Sequence, residues 1–239
     1  FGINQKPTSS KDPYALRRSA LGIIKLSIDN NKEFKIKDLI SYSTSLHIDQ
    51  GFEISNDLLQ KELAEFLMDR LKYYLKEKKI RNDIIEASMS SYMSSYGIDH
   101  MNKIYKKAST LNHFIMKEVG EDIIASYKRA SNILESELKN RDLKLSNTTD
   151  PGIFKNDYEK NLLKKINELR KYFTNTNKDE NYTESLIKLA DAKKVIFEFF
   201  DNIKVNDEDK NIKKNRLELL QMLCRTFDNY IKFSNIETK

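Results

Sequence analysis

Residues 196–233, "IFEFFDNIKVNDEDKNIKKNRLELLQMLCRTFDNYIKF", decide the fold of this chain. A helix ending in aromatics stops at 202–205, and a longer helix follows. In the second helix Leu217, Leu220, Leu223, Cys224, Phe227, Tyr230 and Ile231 recur at spacings of three and four, which puts them on one face. Lys214, Glu218, Arg225, Asp228 and Lys232 share the opposite, solvated face. Asn206 has the side chain of an N-cap, because its oxygen can accept a free backbone N–H. Asp207, Glu208 and Asp209 then fall in the first turn, where the helix dipole favours negative charge. Two packed helices joined by a tight acidic turn are predicted.

Upstream, the same periodicity predicts a helix over 121–140 with Ile123, Tyr127, Ala130, Leu134 and Leu138 inward. Lys128, Arg129, Asn132 and Ser136 lie together on its outer face. A loop over 141–156 contains Asp150, Pro151 and Gly152. Helix 157–173 is amphipathic, with Lys160, Lys164, Lys165 and Lys171 outside, and helix 183–202 leads into the opening stretch. These segments predict an antiparallel bundle over 119–239. A first helical unit is expected over 1–118. Its helices fall at 13–28 (capped by Asp12, with Pro13 at the first position), 35–47, 56–78, 80–92 and 98–117. On the 56–78 helix, Leu59, Leu63, Phe66, Leu67, Leu71 and Tyr74 share a face. Gly22, mid-helix, is unfavourable there, so close packing of another element is expected. The small-residue segment 89–97, "MSSYMSSYG", reads as a helix end and a turn at Gly97.

The bulk numbers agree with an all-α fold of two packed helical units. Six glycines and three prolines occur in 239 residues, with few alternating apolar runs. Charged residues make up 33% and apolar residues 39%, with mean hydropathy −0.66, as in a soluble chain whose apolar residues are placed by period. No apolar run approaches the ~20 residues that cross a bilayer. One cysteine excludes an internal disulfide and fits a reducing compartment. Cys224 reads as core. The chain begins at Phe1 without signal-peptide features, and a fragment of a longer protein is expected. A net charge of +6 and pI near 9.0 permit nucleic-acid binding.

Catalytic chemistry is hard to find. His47, His100 and His113 pair with no cysteine or carboxylate at metal-ligand spacing, and no phosphate loop or nucleophile elbow occurs. Glu62, Glu65 and Asp69 read as a solvated helix face. No catalytic or metal-binding residue is expected. Basic helix faces remain: Lys128 and Arg129, Lys160 with Lys164 and Lys165, Lys193 and Lys194, Lys213 with Lys214 and Arg216, and Arg225. Such faces either are simply solvated or attract phosphates, with Asn and Arg reading base edges. Tyr182, Tyr230 and Phe233 are candidate platforms for unstacked bases.

Four blocks, in order, resemble the glycyl-tRNA synthetase β-subunit family. "FGINQKPTSSKDPYALRRSALGIIKL" looks like the segment closing its HD-like helical body, with Pro7, Thr8, Lys11, Asp12, Pro13, Ala15, Leu16, Arg17, Arg18, Ala20, Leu21 and Gly22 matching. "DRLKYYLKEKKIRNDIIEA" is similar to its next helix. "KRASNIL", residues 128–134, and "FFDNIKVNDEDKNIKKNRLELL" resemble the two signatures of its C-terminal anticodon-binding domain of the DALR type. The segment 89–97 departs from the pattern. The resemblance implies the anticodon-arm-binding part of a glycine–tRNA ligase of two α and two β subunits. ATP and magnesium would be used on the α subunit, with no cofactor in this fragment, and glycine tRNA and the α subunit as cytoplasmic partners. By the same resemblance the RNA-binding residues are Lys128, Arg129, Asn132, Asn206, Asn215, Arg216 and Arg225. Asn206 as a cap and Asn132 as a buried hydrogen bonder are structural alternatives. A subunit-assembly domain without RNA contact is the alternative for the whole chain, and a metal phosphohydrolase ranks below both.

Overall fold

The computed structural model describes residues 1, 5–8, 10–12, 14–53, 56–93, 97–139, 144–175 and 181–237. They form ten α-helices and three short 3-10 turns, with no strand among the described residues. Two compact units are present, Phe1–Ser109 and Thr110–Lys239. The division falls inside α5 (Met101–Ile115), some residues before the Val119 and Gly120 position at which sequence alone suggests a break.

In the first unit α3 (Asn56–Glu77) is the central element, contacting α1 (Leu16–Asp29), α2 (Ile36–Asp49) and α4 (Asn82–Met93). Leu67, Leu71, Tyr74 and Leu75 on α3 are buried, with Ile24 and Ile28 of α1, Ile36 and Ile40 of α2, and Ile84 and Ile85 of α4. Asp12 does cap α1, its carboxylate accepting from the backbone N–H groups of Leu16 (2.8 Å) and Arg17 (3.1 Å). The helix starts later than expected because Ala15 takes a left-handed conformation (φ 54°) ahead of it. Pro13 lies outside the described residues, as do residues 94–96 of the small-residue segment. Gly22 corrects the sequence reading: a Cβ there would meet nothing within 4 Å. No helix among the described residues is long and apolar enough to cross a membrane.

In the second unit four helices pack in a closed ring. α6 (Glu118–Leu138) contacts α10 (Lys210–Asp228), α10 contacts α7 (Asp157–Asn175), α7 contacts α9 (Lys193–Asn202), and α9 returns to α6. The expected helix 183–202 is two, α8 (Tyr182–Ala190) and α9. At Asp191 and Ala192 the backbone tightens: the N–H of Ala192 bonds Leu189 O, three residues back. Leu189, Ala192 and Ile196, on either side of the break, are each fully buried. The apolar stripe that opened the sequence reading is buried throughout. Aromatic contacts tie its end together. Phe227 and Phe233 meet edge to face with centroids 5.1 Å apart, and Phe173 stacks on Tyr230 at 5.0 Å.

Candidate nucleic-acid interface

α9 ends when the N–H of Ile203 makes the last helical bond to Phe199 O (2.9 Å), and Ile203 itself is extended (φ −117°, ψ 117°). Successive side chains of an extended segment point to opposite sides. Accordingly Ile203 and Val205 are buried, while Lys204 and Asn206 are exposed. Asn206 is therefore not the cap of α10. Asp207 closes a local turn by accepting from the N–H of Asp209 (3.0 Å), and this delays the helix. The cap is Asp209, which accepts from the N–H groups of Asn211 (2.8 Å) and Ile212. The acidic run precedes the helix instead of filling its first turn.

This extended corner faces the outer side of α6 across a cleft of about 470 Å³. Its apolar lining comes from Ile133, Phe200, Ile203, Val205 and Leu217, and hydrogen-bonding groups come from Asn132, Ser136 and Asn206. Arg129, Lys204 and Lys213 supply positive charge against the single acid Glu137. The Arg129 guanidinium sits 4.4 Å from the centre of the Phe200 ring, and its Nη2 donates to Phe200 O (3.4 Å). That contact keeps the guanidinium plane near the cleft mouth. Lys213 is held by Glu137 at 2.7 Å, so part of its charge is neutralised. Apolar walls, amides that both donate and accept, and a cationic rim suit a flat heterocycle attached to a phosphate.

Of the residues proposed from sequence, Arg129, Asn132 and Asn206 come together here, and all three are exposed. Phe200 and Lys204 complete the cleft but were not singled out. The alternation over 203–206 was the signal that would have found Lys204. Lys128 turns elsewhere, donating to Ser234 O (3.1 Å), and Arg225 donates to Asn147 Oδ1.

Asn215 and Arg216 correct the expectation of surface contacts, since both are buried. The Asn215 amide pairs with the backbone of Asp150, accepting from its N–H (2.8 Å) and donating to its carbonyl (3.0 Å). Arg216 Nε donates to Glu159 Oε1 (2.7 Å), and its Nη1 donates to Lys204 O (2.9 Å) and Asp207 Oδ2 (2.7 Å). Glu218, expected on a solvated face, is buried as well and accepts from the N–H and hydroxyl of Ser146. Asn215 and Glu218 are held by the 144–156 segment, and Arg216 by α7 and the 204–207 corner. The proposed stacking platforms Tyr182, Tyr230 and Phe233 are also core residues, and the Tyr230 hydroxyl donates to Tyr182 O (3.1 Å). Several lysines of the basic helix faces are paired with acids: Lys160 with Asp157, Lys165 with Glu168, Lys193 with Asp122 and Lys194 with Glu198. Among the described residues no group of three or more His, Cys, Asp or Glu side chains could hold a metal ion.

Comparison with known proteins gives two family-level matches, one on each side of the chain's midpoint. Residues 1–90 match the family described as glycyl-tRNA synthetase beta subunit, and residues 123–239 match the DALR anticodon binding domain. The glycine–tRNA ligase beta subunit of Rickettsia africae is 34% identical over 232 residues, covering 97% of this chain and 32% of the relative. That of Rickettsia prowazekii is 33% identical over 234 residues, covering 98% and 32%. The chain thus spans about a third of the length of the curated relatives it matches.

Proposed function

Because this chain belongs to the glycyl-tRNA synthetase β-subunit family, corresponding to its C-terminal part, we propose that its second unit grips the anticodon arm of glycine tRNA. Bond formation, from glycine and ATP with magnesium, is then the work of the α subunit of a ligase of two α and two β subunits. The observation that carries this reading is the convergence of Arg129, Asn132 and Asn206 on one cleft with an apolar floor. An unstacked base enters edge-first between the two asparagines, with its face against the Arg129 and Phe200 side and its phosphate near Lys204. Discrimination comes from the amides, since a polar edge left unpaired in the cleft is costly. Cations on the rim add affinity that falls with salt.

An electrophoretic titration tests this reading. Glycine tRNA is compared with the same tRNA altered only in its anticodon, using the parent protein and the Asn206→Ala, Asn132→Ala and Lys204→Glu variants. The expected result is weaker binding by each variant and loss of anticodon preference in the two Ala variants. Equal affinity across proteins and tRNAs would refute it.

A second reading, subunit assembly, is favoured by one feature of the first unit. An apolar groove of about 370 Å³ runs along α1 and α2, with Leu26, Leu39 and Tyr42 exposed close by. Association with the α subunit but no RNA affinity would select that reading.

A further inference from the structure

Arg216 does not line the cleft, yet it holds the wall that does. The residue is 5% exposed, and its guanidinium reaches three acceptors at once. Two of those bonds leave the same nitrogen, Nη1, for the carbonyl of Lys204 and the carboxylate of Asp207. They bracket Val205 and Asn206, so one buried group clamps both ends of the segment whose outward residues face the cleft. Its Nε is anchored on Glu159, whose other carboxylate oxygen accepts from the backbone N–H groups of Lys155 and Asn156 at the start of α7.

Stability alone is a weak reason for such a network. A buried ion pair can be replaced by apolar side chains of similar volume with little loss. A forked, planar donor supplies direction, which neither an apolar side chain nor a lysine can reproduce. Fixing the Lys204 carbonyl and the Asp207 carboxylate restricts rotation of the segment between them, whose Lys204 and Asn206 line the cleft.

Resting on the cleft reading above, we propose that Arg216 is a positioning residue for RNA recognition, setting the geometry of Lys204 and Asn206 from inside the bundle without touching RNA. Asp207 is its partner in that task. Replacing Arg216 by methionine keeps volume and removes direction; replacing Asp207 by asparagine keeps the turn to Asp209 and weakens only the clamp.

The test is glycine-tRNA affinity, thermal midpoint and backbone hydrogen exchange for the parent, Arg216→Met, Arg216→Lys, Asp207→Asn and Asn206→Ala. The expected result is a roughly tenfold or larger affinity loss in the Arg216 variants and a smaller one in Asp207→Asn. Exchange should rise at 204–207 while the middle of α6 stays protected. Folded Arg216 variants that bind within about twofold of the parent, beside a weakened Asn206→Ala, would overturn this inference and leave the cleft reading standing. If Asn206→Ala also binds normally, the cleft reading falls and this inference with it. Should the Arg216 variants fail to fold, Asp207→Asn decides: normal affinity overturns the proposal, and reduced affinity with selective exchange at 204–207 supports it.

Discussion

Gly22 and Gly120 should respond to alanine with opposite signs. Both lie in helices, where alanine is intrinsically better than glycine by ~0.8–1 kcal/mol. At Gly22 of α1 an added Cβ meets no heavy atom within 4 Å, so that preference is realised in full. At Gly120, in the first turn of α6, the Cβ would stand 2.2 Å from Phe114 O and 2.8 Å from Ile115 Cα. Only Met116 and Lys117 separate α5 from α6, and the Lys117 N–H is bonded to the same Phe114 oxygen (3.1 Å). The obstructing atoms are backbone and cannot swing aside. A contact that normally rests near ~3.5 Å would need more than ~1 Å of relief. Overpacking of this kind costs ~1–3 kcal/mol or more, which exceeds the helical gain. Gly22→Ala should therefore stabilise the first unit by up to ~1 kcal/mol. Gly120→Ala should destabilise the second by a net ~1–2 kcal/mol or more, several degrees of thermal midpoint. Urea titration followed by circular dichroism measures both, and native-state hydrogen exchange assigns each change to its unit. A Gly120→Ala protein as stable as the parent would refute the tight α5 to α6 turn, and a destabilised Gly22→Ala would refute the open space beside α1.

Two further outcomes follow from the second unit. Burial, and then the nearby Asp228 carboxylate, pushes the Cys224 thiol up to about 12 from 9.0 and raises the Tyr127 phenol, whose hydroxyl also donates to Asp228 (2.8 Å). Each folded pKa lies above its unfolded value, so this stability is complete below pH 9.0 and is lost as pH rises from there towards 12, by up to ~1.4 kcal/mol per pH unit per proton. Urea midpoints at pH 7 and 10.5 measure it; equal midpoints would contradict it, as would alkylation of Cys224 at neutral pH without unfolding. Asn215→Ala removes both bonds to the Asp150 backbone and should cost ~1–2 kcal/mol while exposing 144–150 to proteolysis; an unchanged cleavage rate would deny that this amide pins the loop.

The helical class was legible because apolar residues recur every three or four positions, and the α10 stripe from Leu217 to Ile231 is core wherever the period places it. What the period could not reveal is that α10 is also covered on its polar side. Glu159, Asp150 and Ser146, which bond Arg216, Asn215 and Glu218, lie 57, 65 and 72 residues away in the chain, on a loop and a helix start whose placement no local pattern encodes, although Arg216 also bonds Lys204 and Asp207 nearby. Glu218, which the period places on a solvated face, is held by Ser146, and Asn215 and Arg216, which the resemblance offers to RNA, are buried against Asp150, Glu159, Lys204 and Asp207. Aromatics suffered the reverse error. Tyr182, Tyr230 and Phe233 have the chemistry of stacking platforms, but their apolar area is more valuable inside a small bundle. Gly22 was marked as the crowded glycine because its propensity cost was visible, whereas the crowding at Gly120 arises from a carbonyl one turn earlier in the fold.

These misreadings bear on where RNA can be recognised. α10 is buried over most of its length and gives the cleft only Lys213 and Leu217, while its Arg216 is sealed inside the bundle. Lys160, Lys165, Lys193 and Lys194 pair with nearby acids, and surface pairs of that kind contribute only ~0–1 kcal/mol each while cancelling local field. Net charge is therefore a poor guide to affinity here. The surface that combines hydrogen-bonding side chains, an apolar floor and surplus positive charge is built from one α6 face, Phe200 of α9, the extended corner at 203–206, and Lys213 and Leu217 of α10. Past the Ile203 N–H bond that ends α9, residues 204–206 are no longer helical, and the precision of their placement must come from elsewhere. On the proposal above, the Arg216 guanidinium supplies it from inside the bundle, through its bonds to Lys204 O and Asp207 Oδ2.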